Sequence, residues 1–264
     1  MLHIFIVSLQ QDVEKRETIS KTLKDFGLKF SFVDAIYGKD LPDSTLNSFR
    51  KKSTGKIINR GFSATPGEIG CTLSHLKAYQ EIIDRGLEWA CILEDDAILD
   101  ERFKTFIEEF DDSCLDLNNL YLLGGQNGLA NNQVVKSFKN IKNIGGEKFS
   151  KTIRSEDFIY RTCCYLISSS LAKSLINLSN NHYILADDWK YLVREHIINE
   201  IYLADFVDHP IDLSGSNLQK ERELASLNKY LNNSFYLRAK KAIRWRIRLG
   251  LLRSYRYIEK KECL

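Results

Sequence analysis

The chain has 264 residues, 44% hydrophobic and 28% charged, enough for one large domain or a domain with a small appendage, and its balance is that of a soluble globular protein. No apolar run approaches the roughly 20 residues that cross a bilayer, and the apolar opening is too short and lacks the basic lead-in of a secretory signal, so a cytoplasmic chain is expected. The formal net charge is only +3, but Lys and Arg crowd the C-terminal segment.

Residues 3–9, HIFIVSL, form a compact, β-branched apolar run that predicts a first strand. Val13, Ile19, Leu23 and Phe26 then approximate a helical stripe that Gly27 ends. Residues 29–36, KFSFVDAI, alternate like a second strand, and strand–helix–strand is the opening of a parallel α/β sheet. Residues 38–66 are polar and irregular and read as a long loop. A helix is predicted from Gly70 to Gly86 on the spacing of Leu73, Leu76, Tyr79, Ile82 and Ile83. Residues 88–94, 118–125 and 161–169 predict further strands, with a short helix over 169–179 and a polar excursion over 126–158. The six cysteines (71, 91, 114, 163, 164 and 263) show no C-x-x-C spacing and read as buried free thiols in a reducing compartment.

The C-terminal segment differs. Tyr236, Ala239, Ile243, Ile247, Leu251, Tyr255 and Ile258 fall on one helical face, with Arg238, Lys241, Arg248 and Lys260 off it. That predicts a basic amphipathic helix, or a pair broken at Gly250, suited to an anionic membrane surface. The chain is accordingly divided into a catalytic unit over 1–220 and a basic helical extension over 221–264.

Within CILEDDAILD, Glu94, Asp95 and Asp96 follow an apolar strand. An unpaired buried carboxylate is costly, so such acids must be solvated, paired or bound to a cation. Ligands of open α/β sheets sit beyond the carboxyl ends of strands. Alternate residues share a side there, so Glu94 and Asp96 could face one site, where Mg²⁺ or Mn²⁺ would relieve their repulsion and hold a pyrophosphate. The competing reading makes the acids the start of a helix over 97–110, complementing its dipole.

The blocks IVSLQQDVEKRETI, FVDAIYG, GEIGCTLSHLKAYQEII, CILEDDAIL, TCCYLISSSLAKSL and ADDWKYL, in that order, resemble glycosyltransferase family 25, from about residue 4 to about residue 215. The resemblance implies an α/β fold of the GT-A nucleotide-sugar type and an inverting, metal-dependent transfer from a UDP-sugar. It implies Asp96 as metal ligand, with Glu94 or Asp95 reaching the ribose or a metal-bound water, and His209 as a further ligand from late in the chain. Ser8 and Leu9, which end the first strand, would lie beside the donor, and Arg16 would be either a donor contact or a structural ion pair. Asp34 and Ala35 stand where the uracil would lie. Gly67, Gly70 and Ser74 would let a helix start approach the nucleotide, and His75 is either a donor contact or a satisfied core histidine. Thr162 and Tyr165 would line the sugar pocket, with Trp189 stacking on the sugar. Asp188 is assigned as the base, with Asp187 as its fallback or as a helix cap.

The expected function is β-galactosyl transfer, with 1,4 as the expected linkage, from UDP-galactose to a lipid-linked lipooligosaccharide or lipopolysaccharide core. Mn²⁺ or Mg²⁺ would be the cofactor, and the basic tail would hold the enzyme at the inner-membrane surface. UDP-glucose or UDP-N-acetylglucosamine is the alternative donor. A non-enzymatic nucleotide- or nucleic-acid-binding module is the less favoured class, and no nucleic-acid partner is expected.

Overall fold

The computed structural model describes residues 2–59, 63–129, 133–212 and 217–230, with residues 246, 247, 250, 251, 253 and 254. Most of the predicted amphipathic tail lies outside them.

The predicted strand–helix–strand opening is β1 (His3–Ser8), α1 (Val13–Asp25) and β2 (Phe30–Asp34), followed by α2 (Asp43–Lys51), α3 (Lys56–Asn59), α4 (Pro66–Asp84) and β3 (Trp89–Glu94). Then come α5 (Glu101–Glu108), β4 (Leu120–Gly124), β5 (Lys136–Ile144), β6 (Glu147–Thr152), β7 (Cys164–Ser168), α6 (Ser169–Ser179), α7 (Trp189–Arg194), β8 (Ile201–Val207) and α8 (Asn217–Tyr230). The strands form one sheet in the order β2-β1-β3-β7-β4-β8-β6-β5. The β2-β1-β3 half is parallel, as expected, with Ser8 beside Asp34 and Val7 beside Glu94. The sheet as a whole is mixed, because β7 lies antiparallel between β3 and β4.

The continuous apolar runs have a simple cause. The sheet is covered on both faces, so both side-chain sets of a central strand must be apolar. Ile4, Ile6, Cys91 and Leu93 join α1 and α5 on one face through Ile19, Leu23, Phe103 and Phe106. Phe5, Val7, Ala90 and Ile92 join α4, α6 and α7 on the other through Tyr79, Ile82, Leu171 and Trp189.

Three parts of the sequence reading are corrected. Residues 38–66 hold α2 and α3, whose Leu46, Phe49 and Ile57 build a small core with Ile69 and Leu185. Their apolar stripe is too short to stand out from polar neighbours. The polar excursion contains the β5–β6 hairpin, which turns through Gly145 and Gly146, both in left-handed backbone (φ 52° and 77°). The strand β8 had no counterpart in the reading. Of the described cysteines, Cys91, Cys163 and Cys164 are buried free thiols as expected, whereas Cys114 is exposed.

Candidate active site

The acidic triplet is not the start of a helix. α5 begins at Glu101, and its N-cap is Asp100, whose carboxylate accepts from Arg102 N. Glu94, Asp95 and Asp96 instead occupy the turn after β3. Ile98 and Asp208 then exchange both backbone hydrogen bonds, at 2.9 and 3.0 Å, which brings His209 beside Asp96.

Glu94, Asp96 and His209 each offer a ligand atom, all within 4.8 Å of one another. His209 Nδ1 donates to Pro210 O at 2.7 Å, so the lone pair lies on Nε2, which is 3.5 Å from Asp96 Oδ2. Asp96 Oδ1 is buried without a hydrogen-bond partner. Two carboxylates and an imidazole, one oxygen orphaned, fit a divalent cation of the Mn²⁺ or Mg²⁺ kind. Burial and then the neighbouring Glu94 charge push the Asp96 carboxyl upward. A cation there would reverse that push.

Glu94 is held from behind. Its Oε1 accepts from Thr162 Oγ1 and lies 3.3 Å from His75 Nε2. His75 Nδ1 is 2.8 Å from Tyr165 Oη, itself 2.9 Å from Tyr79 Oη. A carboxylate only accepts, so Nε2 donates to Glu94 and Nδ1 accepts from Tyr165, which accepts from Tyr79. Burial pushes the Glu94 carboxyl up, but the hydrogen bonds it accepts from His75 and Thr162 work against burial, and the carboxyl is held low. His75 is therefore a satisfied core histidine that grips a site carboxylate. Tyr165 and Trp189 are both 0% exposed and sit in the core, so neither forms the open sugar wall expected of it.

Asp95 points the other way. It accepts from Ser8 Oγ at 2.6 Å and pairs with Lys15 at 3.6 Å. Arg16 donates to Ser8 O at 2.6 Å, Leu9 O at 3.0 Å and Asp34 Oδ1 at 2.8 Å, tying together the ends of β1 and β2. Gln10 also donates to Asp34, and Ala35 N donates to Ser8 O. The hydrogen bond from Arg16 is the main reason the Asp34 carboxyl sits below the usual range.

On α4, a Cβ on Gly70 would lie 2.5 Å from Ile36 O, and Ser74 Oγ accepts from Ile36 N at 2.8 Å. These residues seat α4 against the segment after β2. Gly67 N, at the head of α4, donates to Glu221 Oε2 of α8 at 2.8 Å. The helix start expected to approach a nucleotide is thus covered by α8.

The adjacent acids divide their work. Asp188 is 1% exposed and caps α7, Oδ1 accepting from Tyr191 N and Oδ2 from Lys56 N. Asp187 lines a cleft with Glu94, Asp96, His209, Arg161 and Arg222. Its Oδ2 accepts from Arg161 N at 3.1 Å. Burial pushes the Asp187 carboxyl up, but the charges of Lys56 and Arg222 and the Arg161 amide more than offset it, so it is held low. Arg161, Arg222 and Lys56 escaped the sequence reading. A lone basic residue carries no local pattern, and only the fold puts these beside acids.

The family model described as glycosyltransferase family 25 (LPS biosynthesis protein) matches residues 1–190. Procollagen galactosyltransferase 1-B of Xenopus laevis is 29% identical over 180 residues, covering 66% of this chain and 28% of that protein. A bovine relative, named probable inactive glycosyltransferase 25 family member 3, is 25% identical over 215 residues, covering 77% of this chain and 33% of that protein. The chain thus spans about a third or less of these relatives' lengths. A solved glycosyltransferase involved in glycosylation of the major capsid of PBCV-1 aligns with 84% of this chain and 98% of its own at 10% identity and a TM-score of 0.38. With the family model matching residues 1–190 of 264, the chain belongs to glycosyltransferase family 25.

Proposed function

We propose that the chain is an inverting, cation-assisted galactosyltransferase that moves galactose from UDP-galactose to a lipooligosaccharide or lipopolysaccharide core, in a β linkage with 1,4 as the expected attachment. The observation that carries this reading is the convergence of Glu94, Asp96 and His209, with an orphaned Asp96 oxygen, in the cleft that Asp187 also lines. Galactose appears in the names of curated relatives, and lipopolysaccharide biosynthesis in the description of the family.

The acceptor hydroxyl oxygen attacks the anomeric carbon opposite the diphosphate. The bond from that carbon to the diphosphate oxygen breaks, and its electron pair leaves on the phosphate. Asp187 takes the acceptor proton, because it faces the cleft and is held ionised by its basic neighbours. Asp188 positions the loop instead, since backbone amides occupy both its oxygens. A divalent cation on Glu94, Asp96 and His209 would stabilise the charge developing on the departing diphosphate. His75 and Thr162 keep Glu94 oriented for that ligand role. Asp34, at the end of β2, is the proposed uracil acceptor, with Arg16 holding it in place.

The basic C-terminal segment supports a position at an anionic membrane surface, near a lipid-linked acceptor. A screen of UDP-sugars for Mn²⁺-dependent hydrolysis tests the reading. UDP-galactose should be cleaved fastest, and Asp96→Ala should lose the activity. Preference for UDP-glucose or UDP-N-acetylglucosamine would replace the donor, and a fully active Asp96→Ala enzyme would remove the cation role.

A further inference from the structure

Arg161, three residues after the polar excursion over 126–158 and just before β7, holds a left-handed backbone conformation with φ 67°. Such a conformation is unfavourable for a non-glycine residue and persists only where the surroundings over-determine it. They do so here. Its N–H donates to Asp187 Oδ2 at 3.1 Å, and its carbonyl accepts from Trp189 Nε1 at 3.3 Å. Its Nη1 donates to the carbonyls of Gly125 at 2.9 Å and Asn127 at 2.8 Å. Two neutral carbonyls orient the guanidinium without neutralising it, and it forms no ion pair among the described residues. Burial makes that charge harder to hold.

Arg222 lines the same cleft from α8. Its Nε donates at 2.8 Å to Oε1 of Glu68, whose side chain is 1% exposed. Glu221, beside it, accepts from Gly67 N at 2.8 Å and pairs with Lys39 at 3.7 Å. These contacts dock α8 across the head of α4 and aim one arginine into the cleft. Two fixed guanidinium groups, from segments far apart in the chain, thus share one cavity with Glu94, Asp96 and His209.

A diphosphate has more oxygens than one cation can reach, and the planar fork of a guanidinium matches phosphate oxygens in pairs. We propose that Arg161 and Arg222 form a two-armed seat for the diphosphate of a nucleoside diphosphate, holding oxygens that a cation on Glu94, Asp96 and His209 would leave free. The inference rests on the proposed glycosyl transfer and names the side chains that receive its leaving group. It also makes α8, which straddles the expected boundary at residue 220, a working wall of the site.

The test is calorimetric titration of uridine, UMP and UDP into the full chain at constant Mn²⁺. Arg161→Gln and Arg222→Gln should each weaken UDP by about tenfold or more while uridine affinity is unchanged, since a hydrogen bond to a charged group is being removed. Arg161→Lys should recover part of the loss and keeps the test alive if Arg161→Gln does not fold. Glu68→Gln separates docking from binding, because it removes the negative charge paired with Arg222 but keeps the guanidinium. It should hold UDP nearly as well as the parent. Variants that bind UDP like the parent overturn the seat, as does an equal loss of uridine and UDP, which marks a structural role. A parent chain that binds UDP no better than uridine would instead overturn the transfer reading on which the seat depends.

Discussion

At the scale of single residues, neighbouring acids with the same chemistry do different things because the backbone aims them differently. Glu94 and Asp96 face the cleft, while Asp95 turns to Ser8 and Lys15. Asp187 faces the cleft, while Asp188 caps α7. Asp188→Ala should therefore lower stability by about 1–3 kcal/mol, because it removes a cap and leaves the Lys56 amide without its partner. Urea unfolding measures this. Asp187→Asn should unfold near the parent midpoint and bind UDP, yet lose turnover. Equal losses of stability in both would undo the division of labour. The Asp34–Arg16 pair gives a pH test. Its carboxyl is held below the ordinary carboxylate range when folded, chiefly by the Arg16 hydrogen bond, so in acid the unfolded chain binds the proton more readily. The stabilisation is complete above the ordinary carboxylate range and is lost as pH falls through the lowered value. Arg16→Ala should flatten that acid limb in melts taken across the range.

At the scale of elements, close approach decides more than propensity. Replacing Gly70 by Ala should strengthen an isolated helix by about 1 kcal/mol. In α4 the new methyl would lie 2.5 Å from Ile36 O and 2.7 Å from Gly38 N, both backbone atoms that do not swing aside. Overpacking of this kind costs about 1–3 kcal/mol, so it should win. Gly70→Ala should lower the melting temperature and loosen the Ile36–Ser74 bond, visible as faster amide exchange at Ile36. A stabilised variant would show that α4 can shift away from β2. α8 is held to α4 by polar contacts at Gly67 and Glu68, in contrast to the apolar seams of the sheet.

At the scale of the whole molecule, the described part is a sheet with both faces covered and a cleft at the carboxyl ends of its parallel half. Among the described residues no helix is long and apolar enough to cross a membrane. If the basic tail supplies surface attachment, a chain ending at residue 235 should leave the membrane fraction, bind UDP with Mn²⁺ as the parent does, and lose activity only on membrane-borne acceptor. Unchanged partition on fractionation would remove the tail from that role. An added chelator should weaken UDP binding in both chains and leave uridine binding as it was.

The sequence by itself determined the sheet-forming runs, the long α4 and the place of the acidic turn, because both-faced burial and helical periodicity are written in adjacent residues. HIFIVS and WACILE could be read as central strands, and the position of EDD at the end of the second could be read as a ligand-binding point. Short elements with few apolar residues, α2 and β5 among them, were not legible, since their stability comes from partners distant in the chain. Glu94 and Asp96 on one side, with His209 from late in the chain, were expected; only the tertiary structure decided that they meet in one cleft with Asp187, rather than Asp188, and with Arg161 and Arg222. Those facts depend on the Ile98–Asp208 pairing, a left-handed residue before β7 and the docking of α8. Each is a contact between remote segments, and the energy that selects it exists only once the sheet has brought those segments together.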